Sequence, residues 1–248
     1  MKRPRADDNA AARGELPEEL ELRHRPGRGN GVFASRPLPV NWTWRDHPVC
    51  VADGSGRRRL PEADNADELM QELGEGAAAG RACYANLIDG PCRMSYVQRH
   101  FDMQDTGEEE LPEWARALRW TPDKYNALAA TLQSNIARHA EGGGLVLNPM
   151  LRLANHSCEP NTDICWDPVT WPHECACGLG HYILRARRPI RQGEEVTFSY
   201  IGTGALCSPF ELEERRALLQ RRWGFSCACG LCARQTARGR LRPRVEGT

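Results

Sequence analysis

What the chain lacks narrows the field first. No stretch approaches the roughly 18 consecutive apolar residues of a membrane-crossing helix. The N-terminus, Met1 to Asn9, is charged and no apolar segment follows it, so a secretory signal is not expected either. Neither charge sign is in excess, since 33 Lys and Arg balance 33 Asp and Glu. That argues against a surface given over to nucleic acid, and no basic, aromatic-interleaved stripe offsets the argument. There is no internal repeat. The 11 cysteines are odd in number and no export signal accompanies them, so a disulfide scaffold is not expected. Buried small side chains, metal ligands or nucleophiles are the remaining roles for them. What is present is an ordinary globular composition: 248 residues, 40% hydrophobic and 27% charged. That length suits one or two domains able to bury most of their apolar surface without crosslinks.

Residues 1–22 are polar and read as a tail, disordered or partly helical near Leu16–Leu22. Gly27, Gly29 and Gly31 mark a turn before a short strand, Val32–Ala34. Pro61 to Leu73 has helical spacing, and Gly74–Gly80 reads as a small-residue linker. A stronger helix signal starts at Thr121, with Pro122 at the first helical position and Asp123 at the positive helix end. Tyr125, Leu128, Leu132 and Ile136 then form a core-facing stripe.

Beyond Gly142-Gly143-Gly144 the pattern changes to short strands, at Leu145–Leu147, Thr162–Trp166, Tyr182–Ala186 and Glu195–Tyr200. The last alternates Val196, Phe198 and Tyr200 with Thr197 and Ser199, the period of a strand. A capping-box spacing at Ser208-Pro209-Phe210-Glu211 opens a final helix, acidic at its start and basic at its end. From Arg234 to Arg244 the chain reads as a solvated basic tail.

Three motifs carry chemistry. Asn155-His156-Ser157-Cys158-Glu159-Pro160-Asn161 follows an apolar run and sends a polar loop toward the interior, where its groups must find partners. Gly193-Glu194-Glu195-Val196-Thr197-Phe198-Ser199-Tyr200 comes next. Then Cys227, Cys229 and Cys232 form a C-x-C-x-x-C cluster after Trp223-Gly224-Phe225. In this order, and with Arg28-Gly29-Asn30-Gly31-Val32-Phe33-Ala34 near the start, the chain resembles the SET-domain protein lysine methyltransferases with a post-SET zinc segment. The resemblance spans roughly residues 25–234. The R-G-N-G turn and the F-x-C-x-C-x-x-C segment look most like the SET-and-MYND branch. A MYND finger and that branch's long C-terminal domain are not expected, because Cys50, Cys83 and Cys92 lack paired-ligand spacing and the chain stops soon after Cys232.

The resemblance implies a mainly β SET domain at 23–202, with short twisted sheets around a knot-like crossing and a helical insert at about 60–140, then a helix and zinc-bound post-SET segment at 203–234 and a basic tail at 235–248. It implies S-adenosylmethionine as methyl donor and the side-chain amine of a lysine in a histone or other protein as acceptor. Tyr200 matches the catalytic tyrosine; a buried strand tyrosine is the other reading. Asn155, His156, Arg28 and Asn30 match donor-contacting positions, and Phe225 matches an aromatic beside the adenine. Asn135 either contacts the donor or is a polar residue near a helix end. Phe198 either lines the lysine channel or packs. Zinc in a structural site takes four ligands, and the family completes Cys227, Cys229 and Cys232 with Cys158.

His173, Cys175, Cys177 and His181 lie outside the family pattern, and stand either as a second zinc site or as part of an apolar hairpin flanked by Trp166 and Trp171. Cys50, Cys83, Cys92, Cys165 and Cys207 read as packing residues. The expected location is nucleus and/or cytoplasm, with neither membrane nor direct nucleic-acid contact. The competing reading of the whole chain is a catalytically weak SET module, a zinc-stabilised domain that binds protein.

Overall fold

The structure is a computed structural model. It describes residues 16–25, 29–46, 51–52, 58–59, 62–78, 111–123, 125–126, 129, 132, 136–138, 145–148, 151–167, 181–202 and 212–241. Strand β1 (Leu20–Arg25) pairs antiparallel with β2 (Gly29–Ala34) from Leu20↔Ala34 to Arg25↔Gly29. Leu16–Leu22, expected as tail or helix, is instead a turn closed by Leu20 N–H on the Pro17 carbonyl (2.9 Å) and the first half of β1. Pairing with β2 supplies the hydrogen bonds that a short isolated helix would have had to make, and it buries Leu20.

Strand β3 (Thr43–Asp46) and the two-residue pair β4 (Val51–Ala52) and β5 (Arg58–Arg59) follow. Helix α1 covers Ala66–Ala78, later than the Pro61–Leu73 helix the spacing suggests. Its start is set by Asn65. The Asn65 Oδ1 accepts the Glu68 N–H (2.9 Å) while its Nδ2 donates to Glu68 Oε1 (2.7 Å), a reciprocal cap. The stretch expected as a linker from Gly74 is thus helical to Ala78. A Cβ at Gly74 would sit 3.1 Å from both Leu118 and Trp120, so the missing side chain lets the helix approach them. Helix α2 (Glu113–Ala117) precedes helical residues between 122 and 132. Ile136, expected on that helical stripe, opens strand β6 (Ile136–Arg138), which pairs with β7 (Leu145–Leu147) through Ile136↔Leu147.

Strands β8 (Asn155–His156), β9 (Thr162–Asp167), β10 (His181–Ala186) and β11 (Thr197–Phe198) complete the sheets. β10 is central, between β3 and β9, and β9 and β10 form a hairpin that begins at His181↔Asp167. β11 lies parallel to β8. The expected strand Glu195–Tyr200 is regular only at Thr197–Phe198. Val196 N–H bonds the Val32 carbonyl (2.8 Å) and Glu195 bridges Phe33, so successive residues serve different partners. Tyr200 lies past the ladder, in a turn. Helix α3 (Leu212–Trp223) has Glu213 and Glu214 first and Arg221 and Arg222 last, as the helix dipole favours. Helix α4 (Gly230–Leu241) occupies most of the stretch expected as a solvated basic tail.

Among the described residues three apolar clusters form. Val32, Leu38, Trp44, Ala154, Leu184 and Val196 lie in the first, under the sheets. Leu69, Met70, Leu73, Leu132, Leu145 and Leu147 lie in the second, inside the insert. Cys158, Leu219, Cys227 and Cys232 are the buried members of the third, under α3 and α4. No helix among the described residues is long and apolar enough to cross a membrane.

Candidate active site and metal centre

The site is built where β8 and β11 cross. Thr197 pairs with Asn155 and Phe198 with His156, and Ser157 N–H continues the ladder to the Phe198 carbonyl (3.0 Å). Asn161 locks the crossing from below. It is buried, its Oδ1 accepts the Thr197 N–H (2.9 Å), and its Nδ2 donates to the Glu195 carbonyl (2.8 Å). Thr162 Oγ1 adds a bond to the Thr197 carbonyl (2.8 Å). The polar loop that the sequence sends inward is therefore satisfied largely by main chain.

Asn155 faces the other way. Its Nδ2 donates to Glu195 Oε1 (2.7 Å) and to the Asn30 carbonyl (3.0 Å). The contact is close because residue 31 is glycine: a Cβ there would sit 2.5 Å from Glu195 Oε1 and 2.6 Å from Asn155 Nδ2. Arg25 reaches the far oxygen of the Glu195 carboxylate (3.2 Å). Asn30 Oδ1 pairs with His24 Nδ1 (3.0 Å), while Asn30 Nδ2 is a buried donor with no partner among the described residues. Arg28, expected at this turn, and Asn135, expected either to contact the donor or to sit near a helix end, lie outside the described residues.

Tyr200 is held twice. Its N–H donates to His156 Nδ1 (3.1 Å), and its hydroxyl donates to the Ala154 carbonyl (3.0 Å). Among the described residues four rings lie around its own: Phe198 at 5.0 Å, His156 at 5.3 Å, Trp223 at 5.4 Å, and Phe225 at 6.3 Å and nearly perpendicular. Burial pushes the phenol above its ordinary value and the Glu195 carboxylate adds to the shift, so the phenol stays neutral. Burial also holds His156 down at about 4, against an upward pull from Cys229 and with Arg215 lowering it further.

The sulfurs of Cys158, Cys227, Cys229 and Cys232 all lie within 4.8 Å of one another. Cys158 and Cys232 are 3.6 Å apart. Bonds of about 2.3 Å to a tetrahedral zinc would set sulfurs about 3.8 Å apart, so the donor set and its spacing fit that ion. Four sulfurs this close cannot all carry charge unaided. The sulfurs of Cys227 and Cys229, together with burial, hold the Cys158 thiol far above its usual range, while hydrogen bonds from Cys158 and Cys227 hold Cys229 well below. A divalent cation resolves that conflict. Arg234 at the start of α4 grips both oxygens of Glu159 at 2.9 Å, tying the C-terminal segment to the loop after Cys158. His173, Cys175 and Cys177 lie outside the described residues, as do Cys50, Cys83, Cys92 and Cys207. His181 opens β10, and Cys165 is half-buried with its sulfur 3.7 Å from the Ile183 carbonyl.

Two residues of this region were not singled out from sequence. Glu195 joins Asn155 to Arg25. Arg215 is 1% exposed. Burial lowers its guanidinium pKa, but hydrogen bonds to the Cys232 and Cys158 sulfurs outweigh that and raise it overall. The signal was present in α3: Leu212, Arg215 and Leu219 recur at helical spacing, which sets an arginine on the apolar stripe.

The family model described as the SET domain matches residues 29–201. Over 106 residues the chain is 31% identical to Protein-lysine N-methyltransferase SMYD4 of Danio rerio, covering 37% of this chain and 14% of that protein. Over 92 residues it is 35% identical to Histone-lysine N-methyltransferase SMYD3 of Homo sapiens, covering 37% of this chain and 18% of that protein. Over 111 residues it is 34% identical to Histone-lysine N-methyltransferase Smyd1 of Mus musculus, covering 43% of this chain and 21% of that protein. The match thus spans only a small share of each relative's own length.

Proposed function

The chain belongs to the SET-domain family, and from that footing we propose that it transfers a methyl group from S-adenosylmethionine to the side-chain amine of a lysine in a protein. The observation that carries the proposal is the crossing, which brings Ala154 and His156 against a tyrosine 44 residues beyond His156 and fixes that tyrosine at both its amide and its hydroxyl. The names of the relatives, each a lysine methyltransferase, support the same chemistry.

When bound, S-adenosylmethionine supplies a sulfonium-activated methyl group. Asn30 has the buried Nδ2 to offer an acceptor on that molecule. Asn155, the main chain of His156 and the ring of Phe225 complete its binding surface, with Arg28 and Asn135 assigned to it on the resemblance. Tyr200 is the catalytic residue. Its hydroxyl proton is committed to the Ala154 carbonyl, so its oxygen offers lone pairs to the amine N–H and to the polarised methyl. An in-line displacement gains most from such alignment. A neutral phenol with a raised pKa is a poor base. The amine must therefore lose its proton to water, and an aromatic surround of Phe198, Trp223 and Phe225 lowers its pKa from about 10.4 by desolvation.

Cys158, Cys227, Cys229 and Cys232 hold one structural zinc, which pins Phe225 over the site. The substrate is a histone or another protein with an exposed lysine, encountered in the nucleus or cytoplasm. Incubation with isotopically labelled donor, histones and a cell extract tests the reading. Label on a lysine supports it; donor binding without transfer to any protein would replace it with the non-catalytic binding module.

A further inference from the structure

The His156 ring touches both halves of the site. Its Nε2 lies 3.2 Å from Cys158 Sγ, and its Nδ1 lies 3.1 Å from the Tyr200 nitrogen. A main-chain N–H can only donate, so Nδ1 is the bare nitrogen and the ring's single proton is on Nε2. The ring therefore donates to a sulfur of the four-cysteine cluster and accepts from the residue that carries the phenol. The Tyr200 amide needs this acceptor, because the β8–β11 ladder ends at Phe198 and Tyr200 has already turned away.

We propose that His156 is a positioning residue that couples metal at the four cysteines to the placement of Tyr200. The inference rests on the zinc and tyrosine assignments made above. Metal makes Cys158 a thiolate, and a thiolate is a stronger acceptor than a thiol. The Nε2–H···S bond then fixes both the tautomer and the ring angle, as groups behind metal ligands do generally. With the ring fixed, Nδ1 presents its lone pair to the Tyr200 amide. Chain connection through Trp223 and Phe225 is a separate, bulkier link between the same two places; the histidine link is specific to two hydrogen bonds.

Two substitutions divide the ring's functions. In His156→Asn the side-chain oxygen stands where Nδ1 is, so it accepts the Tyr200 amide but nothing reaches the sulfur. In His156→Gln the terminal amide stands near Nε2, so it donates to the sulfur but leaves the Tyr200 amide without its acceptor. Zinc affinity is read by competition with a chromophoric chelator, and Tyr200 amide exchange by NMR on protein labelled with 15N-tyrosine, with zinc and after chelation. We expect His156→Asn to weaken zinc by about tenfold or more and to keep the Tyr200 amide protected. His156→Gln should bind zinc nearly as wild type and exchange the Tyr200 amide about tenfold faster or more. In wild type, chelation should speed that exchange; in His156→Asn it should change it far less.

If zinc affinity is unchanged in His156→Asn, or Tyr200 exchange is alike in wild type and His156→Gln, the coupling is absent. Should a variant not fold, wild type loaded with 113Cd decides: coupling between the metal and the His156 Nε2 proton is expected, and its absence overturns the proposal. None of these readouts involves methyl transfer. A failure of the functional reading would therefore appear separately, as intact coupling in a protein that labels no substrate.

Discussion

From Ala154 to Tyr200 the described structure is tied together by polar groups reaching across the crossing: Asn161 grips Thr197 and Glu195, Asn155 grips Glu195 and Asn30, and His156 grips Tyr200. The insert is held differently. Its core is Leu69, Met70, Leu73, Leu132, Leu145 and Leu147, all apolar, and hydrogen bonds such as Asn65 with Glu68, Glu72 with the Glu62 N–H and Gln71 with Glu75 lie outside that core on exposed groups. Directional bonds fix atoms to a fraction of an ångström, and chemistry needs that. Apolar packing supplies stability but tolerates exchange of similar volumes. Mutations should therefore separate the two regions, one set altering turnover in a stable protein and the other altering stability in a competent one.

The largest effect expected is removal of metal from the four cysteines. Structural zinc contributes on the order of 10 kcal/mol in small zinc-dependent units. Elemental analysis should find one zinc per chain, and chelation should open Phe225–Arg234 to protease while the insert core stays protected from hydrogen exchange. About two zincs per chain would point to a second centre at His173–His181. Loss of protection in both regions together would erase the contrast.

Next comes Leu73→Ala, which empties a fully buried position in the insert. Urea unfolding should show a loss of about 2–5 kcal/mol. Turnover well below the new melting temperature should be unchanged, and a fall in kcat would mean that the insert shapes the reaction itself. Tyr200→Phe should add a loss of turnover to a smaller loss of stability. It deprives the Ala154 carbonyl of its donor, at about 1–3 kcal/mol of stability. Turnover should drop by roughly tenfold or more with donor affinity retained in calorimetry. Wild-type turnover would return Tyr200 to the role of a packed aromatic.

The smallest effect concerns pH. Arg188 holds the Glu194 carboxyl down at about 2, with the Arg191 N–H and Asn161 assisting against burial. A carboxyl depressed below its ordinary value of about 4.3 stabilises the fold above that value, and the contribution is lost as pH falls toward 2. Arg188 is 54% exposed, so the contribution should be about 1 kcal/mol or less. Urea midpoints from pH 6 down to 2.5 should fall slightly more steeply for wild type than for Glu194→Gln. Parallel curves would show that the ion pair contributes nothing.

The same contrast governs what could be read from sequence. The residues N-H-S-C-x-P-N by themselves show a polar loop that needs interior partners, and the crossing is what the family resemblance implies. Cys158, which the resemblance implies as the fourth ligand, has its sulfur within 4.8 Å of those of Cys227, Cys229 and Cys232. The strand at Leu145–Leu147 and the two strands of the β9–β10 hairpin stand close to the short strands expected after Gly142-Gly143-Gly144. The insert is harder. Ile136 continues a helical stripe by spacing, yet pairs with Leu147 across a sheet, since a short apolar run suits either period. Gly74 reads as a breaker and instead lets α1 approach Trp120. Residues 20–22 could not show alone that a strand nearby would take up their hydrogen bonds. Glu195 and Arg215 act on partners far along the chain, and local pattern holds no record of such partners.

The parallel register of β8 and β11 also has a consequence for the order of assembly. A parallel pair cannot grow outward from a tight turn. Thr197 must find Asn155 across the intervening chain, and the entropy of closing that loop opposes the encounter. The β9–β10 hairpin lies inside the loop and sets Thr162 opposite Ala186, which shortens the gap before the parallel pair closes. The hairpin should therefore form first and the reaction centre last. In stopped-flow refolding, Ile183→Val should slow folding, whereas Thr197→Ala should chiefly speed unfolding; equal partition in both variants would mean that crossing and hairpin condense together.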